Sequence, residues 1–127
     1  MGVNLFGKMM IKDEPFKEAF FFDDSIRFRR ELKMPLAFVG GVNSMATIDR
    51  VLDAGFEFVE MARPLVYDTD FINKLKDGVC TESGCKHANY CVARIWNYDM
   101  QCHENCTLSP RMKREVERNI RKYYDKK

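Results

Sequence analysis

Apolar and polar positions change rhythm several times along the chain, and each change marks an element. After an irregular opening from Met1 to Pro15, residues 16–22 carry a compact apolar block, Ala19-Phe20-Phe21-Phe22, which needs a core to cover it. Asp23, Asp24 and Ser25 are residue types that cap helices, and the stretch after them predicts a helix to about Lys33. Met34-Pro35 stops it, because the residue before a proline is pushed out of helical backbone. Leu36 to Val39 is an unbroken apolar run that enters Gly40-Gly41. Continuous rather than alternating apolarity predicts a parallel strand covered on both faces. The next helix, about Met45 to Ala54, is capped by Asn43 or Ser44, places Ile48, Val51 and Leu52 on one face, and ends at Gly55. Phe56 to Met61 reads as a second strand. Strand, glycine turn, helix and strand form a β-α-β unit with parallel pairing and a right-handed crossover.

Further on, Ala62-Arg63-Pro64 predicts a turn, and Asp68 to Asp70 caps a short helix carrying Phe71, Ile72 and Leu75 before Gly78. Cys91 to Trp96 suits one or two helical turns. Ser109-Pro110 starts a last helix, with serine as N-cap and proline at the first helical position. Met112, Val116, Ile120 and Tyr123 fall near one face of it, which makes it a packed amphipathic helix with a solvated basic face. Phe20, Phe21, Phe22, Phe56 and Phe58 read as core. Tyr90, Trp96 and Tyr98 read as packing beyond the second strand, and Tyr123 and Tyr124 as anchors of the tail.

Composition adds limits to this picture. The chain has 127 residues, with 21 Lys plus Arg against 19 Asp plus Glu, a net +2 that implies no dominant polyanionic partner. Ser109 to Lys127 nevertheless holds eight basic and three acidic residues. That tail reads first as helix surface rather than as a nucleic-acid contact. No run of 18 apolar residues and no basic-then-apolar leader is present, so no membrane partner and a cytoplasmic location are expected. All five cysteines lie between Cys80 and Cys106. An odd number in so short a stretch argues against a disulfide framework and leaves metal binding or unligated thiols open.

Two consecutive strand ends carry groups that suit an anion. Gly40-Gly41 lets the backbone approach closely at a helix N-terminus, and Arg63 supplies a permanent guanidinium. In a β/α barrel the loops after the last two strands are where phosphates sit. The strings Met34-Pro-Leu-Ala-Phe-Val-Gly-Gly-Val42, Gly55-Phe-Glu-Phe-Val-Glu-Met-Ala-Arg-Pro-Leu65 and the short helix after Asp70 resemble the C-terminal end of the old yellow enzyme family. The resemblance runs from about Phe16 to Cys106 and points to relatives of bacterial 2,4-dienoyl-CoA reductase. It implies an α/β fold: the last two βα units of a TIM (β/α)8 barrel with additional C-terminal helices. It also implies an FMN-dependent NAD(P)H:flavin oxidoreductase that passes hydride to an electron-poor small-molecule acceptor. The FMN phosphate would be held by the backbone of Gly40, Gly41, Val42 and Ala62 and by the Arg63 side chain.

A full barrel needs about 250 residues, so the strands that contact the flavin ring and supply the proton have no counterpart here. Neither His87 nor His103 matches the family's substrate-binding pair, and no catalytic residue is assigned. The expected partners are a missing N-terminal barrel half or a second copy. Cys85, Cys91, Cys102 and Cys106 lie where cluster-containing relatives ligate iron and sulfur. Ala88, however, stands where the related C-x-x-C-N-x-C arrangement has its middle cysteine. Four thiolates are the usual requirement. Unligated cysteines are therefore preferred. The alternatives are a cluster completed by Cys80 or Cys106, or a zinc site in which His87 and His103 join Cys85 and Cys91. The expected layout is a partial barrel at 1–79, a cysteine-rich segment at 80–108 and a basic helix at 109–127. A non-catalytic binding module with a metal-stabilised cysteine segment and basic tail is the alternative function.

Overall fold

The computed structural model describes residues 15–95 and 99–124, with the side chains at 94, 119, 120 and 122–124 outside that description. The expectations for the opening before Pro15, for Trp96 and Tyr98, and for the side chains of Ile120, Tyr123 and Tyr124 lie outside the described residues. Two compact units are present: Lys17 to Gly84, and a second unit that runs from Cys85 toward the C-terminus and includes Phe16. Among the described residues no helix is long and apolar enough to cross a membrane.

The first unit is built on a β-α-β motif. Helix α1 (Phe22–Glu31) leads to strand β1 (Ala37–Val39), helix α2 (Met45–Asp53) and strand β2 (Phe58–Glu60). The strands pair in parallel, with Ala37 beside Phe58, Phe38 beside Val59 and Val39 beside Glu60. Short helices α3 (Arg63–Tyr67) and α4 (Phe71–Lys76) follow. Asp23 and Asp24 occupy the first turn of α1 rather than its cap, where they face the positive end of the helix dipole. Ser44 does cap α2, accepting from the Thr47 amide, and Gly55 ends it with φ of +92°. Ala62 to Pro64 begins a helix rather than a turn: proline costs nothing in the first helical turn, where no intrahelical bond is lost.

The core forms where these elements meet. Phe38, Val42, Val51, Phe56 and Ala19 are buried together, with Phe22, Ile26, Leu36, Ile48 and Val59 packed against them. Phe38 stands edge-on to Phe22 and Phe56, at ring separations of 6.0 and 5.6 Å. Each fully buried side chain of this size contributes roughly 1.5–3 kcal/mol. Arg29 fastens the exit of α1 to the strands: its guanidinium donates to the carbonyls of Leu32 and Met34 and pairs with Glu57 at 3.2 Å. Glu57 also accepts the Leu36 amide at 2.8 Å, and that bond first, with Arg29 adding, holds its carboxyl below the ordinary range.

The expectation of a sheet covered on both faces fails. Phe38 points into the core, but the alternate positions Ala37, Val39, Phe58 and Glu60 are exposed, Val39 at 54% and Phe58 at 61%. Only one layer of helices is contributed by this unit, so one sheet face stays bare. For the same reason Phe58 is not core. Phe20 and Phe21 are also about half exposed, lying in the turn before α1 and packing on each other edge-on.

In the second unit, helix α5 (Tyr90–Arg94), a 3-10 turn (His103–Asn105) and helix α6 (Pro110–Tyr124) follow one another. Ser109 accepts the Met112 amide at the start of α6, and Val116 on that helix is buried.

Candidate anion site at the strand ends

The register that pairs Val39 with Glu60 makes the next residues on each strand neighbours in order, so Gly40-Gly41 and Met61-Ala62 leave the sheet at the same edge. Arg63, half-buried, opens α3 directly after Ala62. Gly40, Gly41, Val42, Ala62 and Arg63 thus all follow the C-terminal ends of one parallel strand pair. The Val42 side chain is committed to the core at 1% exposure, which leaves its backbone for any ligand.

Both glycines are required by the chain path itself. Gly41 has φ of +76°, a conformation that side chains resist. A Cβ on Gly40 would lie 3.1 Å from the Phe21 Cβ and 3.3 Å from the Phe38 ring. Their carbonyls are engaged as well, accepting from Phe20 N–H at 3.0 Å and Ala19 N–H at 3.2 Å. The turn is therefore laid against the residues before α1.

The N-terminus of α2 offers less to a ligand than the sequence suggests. The Asn43 amide donates to Glu18 Oε1 at 2.9 Å, the Met45 amide to the Thr81 carbonyl at 2.8 Å, and the Thr47 amide to the Ser44 hydroxyl at 3.2 Å. The Ser44 hydroxyl itself donates to Glu18 Oε1 at 2.8 Å. Glu18 is thus an internal anion at this helix end. Partial burial pushes its carboxyl up, but hydrogen bonds from Thr47, Ser44 and Asn43 outweigh burial and hold it below the ordinary range. A phosphate at this edge would be met by the glycine-turn and Ala62 backbone, with Arg63 supplying the positive charge. No local motif marks Glu18 in the sequence: it lies 25 residues before Asn43 and 26 before Ser44.

The cysteine segment is arranged differently. None of the five cysteines is in a disulfide. Among the described residues no three His, Cys, Asp or Glu side chains converge as metal ligands would. His87 is buried with its ring stacked on Phe16, at a centroid distance of 3.4 Å. His103 lies edge-on to Tyr90, with Nδ1 3.8 Å from the Cys102 sulfur and Nε2 3.3 Å from a Glu104 carboxylate oxygen. Burial, followed by the nearby Glu104 and Cys106, pushes the Cys102 thiol up. On α6, Arg118 lies 3.9 Å from Glu115 and Arg121 3.8 Å from Glu117, pairs that offset part of the helix's basic charge.

No family model matches the chain, and no solved structure does. Over 95 residues it is 39% identical to 4,4'-dithiodibutanoate disulfide reductase of Rhodococcus erythropolis. The aligned stretch is 75% of this chain and 24% of that protein, so the chain spans about a quarter of the relative's length. The likeness is to a reductase and supports an oxidoreductase.

Proposed function

We propose that this chain is the FMN-phosphate-binding end of an FMN-dependent NAD(P)H oxidoreductase of the old yellow enzyme type. The observation that carries the reading is the shared strand-end edge, where Gly40-Gly41 and Ala62-Arg63 follow two parallel strands in matching register. Backbone N–H groups of Gly40, Gly41, Val42 and Ala62 would receive the phosphate oxygens, and the Arg63 guanidinium would neutralise their charge. Bound FMN supplies hydride transfer, from NAD(P)H to the flavin and from the flavin to an electron-poor acceptor. The relative's name says that it reduces a disulfide, 4,4'-dithiodibutanoate. No residue of this chain is given a proton-transfer role.

The bare sheet face supports a barrel completed by further polypeptide. Parallel sheets are ordinarily covered on both faces, yet Ala37, Val39 and Phe58 are open here. An N-terminal barrel half, or a second copy, would bury them and bring the residues that hold the flavin ring. Flavin absorbance and fluorescence titration test the reading, on the chain alone and with an N-terminal barrel half supplied. Arg63→Ala is expected to weaken FMN binding by about 10- to 100-fold, the worth of one charge-assisted hydrogen-bonding group. Absence of flavin uptake even with the N-terminal half would sink the proposal.

A further inference from the structure

We propose that Glu18 is a positioning residue for the anion site, holding the glycine turn against the start of α2 through the Asn43 amide and the Ser44 hydroxyl. The inference rests on the phosphate reading for its consequence, while its structural half can be measured without any ligand.

Three contacts converge on one short segment. Glu18 Oε1 accepts from Asn43 N at 2.9 Å and from Ser44 Oγ at 2.8 Å, and Ser44 Oγ in turn accepts from Thr47 N at 3.2 Å. Next to Glu18, the amides of Ala19 and Phe20 bond the carbonyls of Gly41 and Gly40. Residues 18–20 therefore grip residues 40–44 at four points, two through backbone and two through one carboxylate. Gly40 and Gly41 have no side chains to hold them, and glycine is the residue with most backbone freedom to lose. An anion cradle made of N–H groups works only when those groups already point together, since ordering them on binding subtracts from affinity. Glu18 fixes the residue that follows Val42. Val42 is locked in the core from its other side, so the turn is clamped on both flanks. The carboxylate also takes up the Asn43 amide and the Ser44 hydroxyl, which directs an incoming phosphate to the turn itself.

The experiment compares wild type, Glu18→Ala and Glu18→Gln by amide hydrogen exchange and, with an N-terminal barrel half supplied, by titration with FMN and with riboflavin, which lacks the phosphate. In Glu18→Ala, exchange at Asn43 should rise about tenfold or more, the loss of a hydrogen bond to a charged acceptor. The amides of Glu57 and Phe58, bonded to the Leu36 carbonyl, should stay unchanged and report that the fold is intact. FMN affinity should fall by about tenfold while riboflavin affinity holds, and Glu18→Gln, which keeps an acceptor oxygen, should restore most of both effects. Unchanged exchange at Asn43 overturns the clamp. Faster exchange with unchanged FMN affinity overturns its role in positioning. Wild-type protein that takes up no FMN even with an N-terminal barrel half supplied defeats the functional reading instead, and the exchange data then decide the clamp alone.

Discussion

The segment from Lys17 to Gly84 and the stretch from Cys85 onward hold their chemistry-bearing residues in opposite ways. In the first, residues far apart in sequence are brought to one edge by strand register, and the turn between them is fixed by a core residue, Val42, and by Glu18. In the second, cysteines close in sequence are set by short helices and a 3-10 turn, and no trio of ligand side chains converges among the described residues. Spacing along the chain is a weaker guide to a site than the frame that carries the residues. The glycines and Arg63 share a frame, whereas the cysteines share mainly a sequence neighbourhood.

The comparison breaks first if the frame does not depend on its core. Phe38 sits in the middle of β1 at 1% exposure, between the rings of Phe22 and Phe56. Phe38→Ala should cost about 3–5 kcal/mol, enough to unfold a small unit, and should abolish flavin uptake together with the cooperative thermal transition. A folded variant that lost less than about 1 kcal/mol in a denaturant titration would show that the strand ends do not rely on this packing. A smaller effect is expected where the first unit ends. A Cβ added at Gly84 would lie 2.6 Å from the Tyr67 hydroxyl and 2.8 Å from its ring, so one side must move. Gly84→Ala should destabilise by about 1–3 kcal/mol in the same titration, and an unchanged midpoint would mean that Tyr67 swings aside freely.

How much of this was legible in the sequence follows from the range of each interaction. The β-α-β order, the Ser44 cap and the Gly55 stop depend on neighbours within a few residues, and local pattern finds them. Strand ends at Gly40 and Ala62 follow from that order, so the candidate residues could be named. The bare sheet face could not, because a run such as Leu36-Ala-Phe-Val39 looks the same whether its outer face is covered or open. Phe58 is exposed for that reason: its alternation puts it opposite Val59, and only the number of layers decides which side is wet. Glu18 and the Arg29 to Glu57 pair were invisible because they join elements 25 to 28 residues apart and leave no spacing rule.

The smallest expected effect bears on the second region. If a metal organised the cysteines, its removal would unfold that stretch, since binding free energy in small metal-held segments is folding free energy. One feature argues for independence from metal: no further cysteine lies between Cys85 and Cys91, so that stretch supplies two thiolates where a cluster usually takes four. Chelator treatment of anaerobically purified protein should therefore leave the helical circular-dichroism signal and the melting midpoint unchanged, with iron, sulfide and zinc all far below one equivalent. A stoichiometric metal whose removal melts α5 or α6 would reverse the contrast, because the cysteines would then be the better-organised site and the glycine turn the looser one.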